Sequence, residues 1–257
     1  MTIVRSRDNA KAKRWRALGE DARLRRAEGR ALIEGEHLVA AALERGLRLE
    51  ALIVAESAVE RFGGLLRRAA TTPAVLDDRL FASVVDVETP AGIAAEIAIP
   101  SAGVPLREAR ACVFLEGVQD AGNVGAILRS AAAFGLGRAV LGPGCADAWS
   151  PKVLRAGMGA HFLLGIEEAG DLGGALARFG GRLACTVPHG GTPLAAADLT
   201  GRLGWLFGSE GRGLREETLR KADLRVTIPM PGGAESLNVA AAAAICFYEL
   251  STRGARS

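Results

Sequence analysis

The sequence predicts an α/β protein of two domains, the second built on a mostly parallel sheet. Three observations carry that prediction. Beyond Pro105, continuous apolar runs alternate with helical segments, the pattern of a parallel sheet covered on both faces. The stretch from Ile99 to Pro105 gathers two prolines, a glycine and a serine, which marks a linker between domains of residues 1–100 and 108–257. Three segments rich in glycine and polar residues adjoin apolar runs at strand-to-helix junctions: Leu115 to Gly135, Leu206 to Gly213 and Ile228 to Ala244. Open α/β sheets bind their ligands at such junctions.

In the first domain, Asp8 to Leu18 reads as a helix with a basic face. A short strand follows at Arg30 to Glu34, then an amphipathic helix at Glu36 to Arg45 and a strand at Leu49 to Ala55. Ser57 is expected to cap the next helix, and strands are expected at Ala74 to Leu76 and Ile93 to Ile99.

In the second domain, strands are expected at Ala111 to Gly117, Arg138 to Leu141, Phe162 to Ile166, Arg182 to Val187, Leu203 to Phe207 and Leu224 to Pro229. Helices are expected at Asn123 to Phe134, Pro151 to Gly159, Leu172 to Phe179, Leu214 to Ala222 and Leu237 to Ser251. The last has no charge between Glu235 and Glu249, so it should be buried in a core or against another subunit.

The chain has 257 residues and a net charge of +3, unevenly spread. Its first thirty residues hold ten Lys/Arg against four Asp/Glu, leaving the remainder acidic. A basic segment on an acidic body suits either a solvated helix face or an arm that binds a polyanion. The cysteines (Cys112, Cys145, Cys185, Cys246) lack metal-ligand spacing and read as free thiols in a reducing compartment. The polar, basic start is not a signal peptide. The apolar run from Val239 is shorter than the roughly 20 residues of a bilayer span. A cytoplasmic protein with neither membrane nor metal is the expectation.

Each junction has an ordinary and a functional reading. Asp120 and Asn123 suit capping of the helix that follows. Arg129 suits an edge salt bridge, or bidentate capture of a phosphate or carboxylate. Glu210, the sole acid in Gly208-Ser209-Glu210-Gly211-Arg212-Gly213, suits a helix dipole. Ser236 reads as an N-cap with Asn238 in the first turn, but capping does not explain the adjoining Gly232-Gly233. His37 and His161 read as structural, while His189 sits in a Pro-His-Gly-Gly turn that could line a pocket. P-loop, dinucleotide-fold and nucleophile-elbow patterns are absent.

The segments NVGAILRSA, FGSEGRGL and IPMPGGAESLNVAAA together resemble the three motifs of the SpoU (TrmH-like) RNA ribose 2′-O-methyltransferases. SPKVLRAGMGAHF resembles a further helix of that family. SRDNAKAKRWRAL and ALIEGEHLVAAAL resemble the L30e-like RNA-binding domain that precedes it in many members. The resemblance implies a SPOUT domain with a trefoil knot, a homodimer, and S-adenosylmethionine as methyl donor. It implies catalytic roles for Asn123, Arg129, Glu210, Ser236 and Asn238. A donor site would be formed by Val187, Gly208, Glu210, Ile228, Met230, Ser236 and Leu237. With an RNA substrate implied, Arg5, Arg7, Lys11, Lys13, Arg14 and Arg16 become candidate phosphate contacts. The two-domain layout is more like ribosomal-RNA-directed members than tRNA-directed ones. A base methyltransferase of the SPOUT class and a non-catalytic RNA-binding protein are the alternatives.

Overall fold

Short-range chemistry sets the elements of the first hundred residues. The computed structural model describes residues 2–254 apart from Ala70, Asp86, Glu88 and Ala234. Helix α1 (Ala10–Glu20) begins where Asn9 Oδ1 accepts the amides of Lys11 and Ala12, and it buries Ala12, Trp15 and Leu18. Asp21 ends α1 and caps α2 (Ala22–Glu28), which stops at the left-handed Gly29. The arginine-rich ARLRRAE has no apolar stripe, so periodicity alone did not reveal α2.

The remaining elements are β1 (Ile3–Val4), β2 (Arg30–Glu34), α3 (Glu36–Glu44), β3 (Leu49–Ala55), α4 (Gly63–Arg68), β4 (Ala74–Leu76), α5 (Asp78–Val85) and β5 (Ile93–Ala98). The strands form one sheet in the order β1-β4-β3-β5-β2, with β5 antiparallel to β2 and β3. Ser57 starts no helix. Its hydroxyl donates to Asp78 Oδ1 at 2.7 Å, residues 56–58 make a 3₁₀ turn, and α4 begins later without a side-chain cap.

Two compact units emerge. Residues 1–100 form the first together with Trp149–Phe162, although that segment interrupts the second unit in sequence. Its helix α7 (Pro151–Gly157) is capped by Ser150 and packs on β2. The second unit comprises Ser101–Ala148 and Leu163–Ser257.

The second unit carries β6 (Ala111–Glu116), α6 (Ala121–Ala133), β7 (Arg138–Leu141), β8 (Gly165–Glu168), α8 (Leu172–Phe179), β9 (Arg182–Thr186), β10 (Thr192–Pro193), β11 (Leu203–Gly208), α9 (Glu216–Leu219), β12 (Leu224–Thr227) and α10 (Val239–Gly254). Every pairing in its sheet, ordered β10-β12-β9-β11-β6-β7-β8, is parallel. Alternation along the strands then feeds two cores. Phe114 and Leu206 meet Leu172, Leu176 and Phe179 of α8 on one face. On the other, Phe207 meets Phe247 of α10 edge to face at 5.8 Å, and α10 packs along α6.

Two expectations change. The strand placed at Phe162 to Ile166 runs from Gly165 to Glu168, because Arg138 pairs with Glu167 at 3.0 Å and admits a charged residue into the strand. Helix α9 is only Glu216–Leu219, since the residues before it complete a loop. Helix α10 encloses Ala243, Cys246 and Phe247 in the core and leaves Ile245 and Tyr248 exposed in the single chain.

Candidate active site

The second unit gathers its three polar segments at the carboxyl ends of neighbouring strands. Because β12, β9 and β11 are adjacent and parallel, their exits converge on one edge of the sheet. A cavity of about 410 Å³ lies there. Its wall includes Val187, Gly208, Ile228, Met230, Ser236 and Leu237, so every residue of the expected donor site lines it. Glu210 and Asn238 line it too, with Leu206, Leu214 and Ala242 adding apolar wall.

Gly208 shows why the cavity needs this backbone. A Cβ there would sit 2.1 Å from the Gly213 carbonyl carbon and 2.2 Å from the Leu214 nitrogen. The loop from Ser209 to Leu214 therefore folds back against the end of β11. It is closed by an amide hydrogen bond from Gly213 to the Ser209 carbonyl at 2.8 Å.

Asp120 caps α6 by accepting the Asn123 amide at 2.7 Å. That fixes Asn123 within the first turn, so its side chain is free for other partners. Asn123 Nδ2 donates to Glu210 Oε1 at 2.6 Å, and Asn238 Nδ2 donates to Asn123 Oδ1 at 2.9 Å. Asn238 Oδ1 in turn accepts the amides of Ala240 and Ala241. A carboxylate only accepts, so Glu210 sets the orientation of both asparagines along this chain. The cap of α10 is thus Asn238 and not Ser236, because the helix starts later than the sequence suggested.

Arg129 lies outside the chain, exposed on α6 six residues beyond Asn123. Among the described residues it has no hydrogen-bond or ion-pair partner. The edge salt bridge is therefore not its role. His189 is exposed and absent from the cavity wall, which its neighbour Pro188 reaches.

One participant went unread in the sequence. Glu116 is 4% exposed and accepts from the Arg215 amide, Arg215 Nε and Thr218 Oγ1 at 2.8, 2.7 and 2.8 Å. Glu116 in turn holds the Arg215 guanidinium above its ordinary pKa. A charge ending the apolar run ACVFLE was the available signal.

The basic N-terminus divides in two. Arg14 reaches Glu96 at 2.6 Å and also pairs with Glu28, and Glu96 chiefly holds its guanidinium above the ordinary pKa. Arg16 donates to the Ser83 carbonyl and hydroxyl at 2.8 and 2.6 Å. These two tie elements of the first unit together, so their guanidinium groups are already engaged within it. Lys13 pairs with Asp8 at 2.7 Å and Arg5 with Glu56 at 3.5 Å, in exposed and hence weak contacts. Arg7 and Lys11 are exposed, and their side-chain charges have no partner among the described residues.

No group of three or more His, Cys, Asp or Glu among the described residues is arranged to hold a metal. No helix there is long and apolar enough to cross a membrane. The four cysteines are free, and burial pushes the Cys112 and Cys246 thiols up.

Comparison with known proteins agrees with this geometry. Residues 110–248 match the model of the SpoU rRNA methylase family, and residues 9–95 match that of the MRM3-like substrate binding domain. A 23S rRNA (guanosine(2553)-2′-O)-methyltransferase of Bacillus subtilis strain 168 is 34% identical over 253 residues, covering 97% of this chain and 99% of that one. The crystal structure of the SpoU methyltransferase AviRb of Streptomyces viridochromogenes in complex with AdoMet superposes with a TM-score of 0.84 at 26% identity, over 97% of this chain and 100% of that one. A putative RNA methyltransferase of the TrmH family from Porphyromonas gingivalis superposes with a TM-score of 0.81 at 32% identity, over 96% and 98% of the two chains. With the second and third motifs lining one cavity, the first tied to both through Asn123, and both units matched, the chain belongs to the SpoU rRNA methylase family.

Proposed function

We propose that this protein transfers a methyl group from S-adenosylmethionine to a ribose 2′-hydroxyl of RNA, ribosomal RNA before transfer RNA. The observation that carries the reading is the cavity at the ends of β12, β9 and β11, with Glu210 and Asn238 in its wall and Asn123 bonded to both.

The residues present fit the donor. At about 410 Å³ the cavity falls within the range of small-molecule sites. Val187, Ile228, Met230 and Leu237 give apolar surface for a flat base, and the missing Cβ at Gly208 lets the loop that carries Glu210 fold back beside the cavity. The Glu210 carboxylate and the Ser236 hydroxyl complement a cationic, polar ligand. S-adenosylmethionine supplies a methyl group carried on a sulfonium.

The chain's own residues then have separable tasks. Arg129, with its unengaged guanidinium, binds the target phosphate and orients the 2′-hydroxyl. A guanidinium is a poor base, so Arg129 shares in removing the 2′-proton only with help from the phosphate it holds. Asn123 and Glu210 fix the substrate ribose. Asn238 keeps Asn123 aligned, and Ser236 shapes the donor pocket. Arg5, Arg7, Lys11 and Lys13 in the first unit contact RNA phosphates, while Arg14 and Arg16 hold that unit together.

The exposed Ile245 and Tyr248 of α10 support a homodimer through that face. A trefoil knot in the second unit and a cytoplasmic location belong to the same reading. Ribosomal RNA is favoured because the Bacillus subtilis relative, matched over both units, is named for 23S rRNA.

The test is incubation with methyl-labelled S-adenosylmethionine and unmodified total RNA, followed by digestion. Label on the 2′-oxygen of ribosomal RNA is the expected result. Label on a base would favour base methylation. Donor binding without label on any RNA would favour a non-catalytic RNA-binding protein.

A further inference from the structure

Glu116 ends β6 directly opposite Gly208, the last residue of β11. The chain leaves the sheet at Gly208, forms the loop that carries Glu210, and returns at Arg215. The Glu116 backbone therefore adjoins one end of the loop through strand pairing. Its side chain grips the other end, at the Arg215 amide, Arg215 Nε and Thr218 Oγ1. Inside this clamp the loop closes on itself, with Gly213 bonded to Ser209 and Arg212 N donating to Ser209 Oγ at 3.3 Å.

We propose that Glu116 is a positioning residue for methyl transfer, one that sets the Glu210 carboxylate by clamping both ends of its loop. This rests on the function proposed above and deepens it. Glu116 touches neither the cavity nor Asn123; it acts through the loop. All three of its partners present donors, so an ionised carboxylate satisfies them together. A carboxamide of the same shape has one acceptor oxygen and turns an NH₂ toward a donor. With the buried acceptor lost, the Arg215 end of the loop is released and Glu210 loses its register with Asn123. The clamp is nearly solvent-free at Glu116, which makes it stiff where an exposed pair would not be.

The experiment uses the full chain and its Glu116→Gln variant, with Ile166→Ala as a comparison. Ile166 is buried on β8, at the edge of the sheet beyond β6 and β7, so that variant lowers stability without touching the loop. Three quantities are read well below the unfolding temperature: amide exchange at Gly213 and Arg215, the donor dissociation constant, and single-turnover methyl transfer at saturating donor. For Glu116→Gln, exchange at both amides should rise and transfer should fall at least about tenfold. Ile166→Ala should leave all three near wild type.

Wild-type exchange and turnover in Glu116→Gln would overturn the proposal, as would an equal loss in Ile166→Ala. If Glu116→Gln does not fold, Arg215→Ala and Thr218→Val each remove one donor and should move exchange and turnover the same way; wild-type behaviour in both would overturn it. A wild-type protein that transfers no methyl to RNA refutes the proposed function instead. The exchange measurement still decides whether Glu116 holds the loop.

Discussion

Asn238 donates its side-chain amide to Asn123 Oδ1 at 2.9 Å while its own Oδ1 accepts the first free amides of α10. One residue of the third motif thus caps the last helix and holds Asn123 of the first motif. Asn238→Asp separates these tasks. It keeps the helix cap but turns a carboxylate oxygen toward Asn123 Oδ1, and Asn123 cannot flip without losing Glu210. The thermal midpoint should stay near wild type, while transfer falls about 10–100-fold, as expected for ~1–3 kcal/mol of lost alignment. Asn238→Ala should also lose ~1 kcal/mol of stability with the cap. Thermal melts and single-turnover rates check both.

Arg129 has no structural partner to lose among the described residues. Arg129→Ala should therefore leave stability and donor affinity unchanged and reduce transfer at least about 100-fold. Arg129→Lys should restore little, because an ammonium cannot make the bidentate contact. Donor calorimetry beside turnover decides this. Near-normal turnover in Arg129→Ala would show that another group positions the substrate.

Gly208 is crowded by backbone and not by a movable side chain. Gly208→Ala forces the loop limbs apart at a cost of ~1–3 kcal/mol or more. The expected result is a midpoint lowered by at least about 4 °C and loss of donor binding, measured by melting with and without S-adenosylmethionine.

Phosphate contact and domain architecture can be told apart at the N-terminus. Arg7→Ala with Lys11→Ala should weaken RNA binding and lower the salt slope by about one per residue without changing stability. Arg14→Ala should destabilise the first unit, because it leaves the buried Glu96 carboxylate with only Trp15 Nε1 at 3.0 Å among its described partners. Filter binding across a salt series, paired with melts, measures both.

Burial raises the Glu34 pKa, against a lowering influence from the Ala91 amide and Arg155. The folded state therefore holds this proton to higher pH than the unfolded state does. Its contribution to stability falls as pH rises from the ordinary value of 4.5 through the folded pKa. Glu34→Gln should remove that fall, so its stability relative to wild type should increase with pH across that window. Urea titrations at several pH values check the sign.

Much was legible in the sequence because the information is local. Alternating apolar runs and helical stripes need only neighbours in the chain, so β2, β3, β4, β7 and α8 stand where periodicity put them. The donor-site residues were named through motif resemblance, and they line one cavity because adjacent parallel strands end on the same edge. Tertiary structure decided what depends on partners remote in sequence. Asn238 is a cap because α10 begins where packing on α6 allows, and Arg14 is an anchor because Glu96 on β5 lies beneath it. Trp149–Phe162 clusters with residues far earlier in the chain. Glu116 is the clearest case: as a letter it is a charge closing a strand, and only a partner 99 residues away makes it a clamp. A long-range hydrogen bond carries no periodicity, so no reading of composition or spacing reveals it.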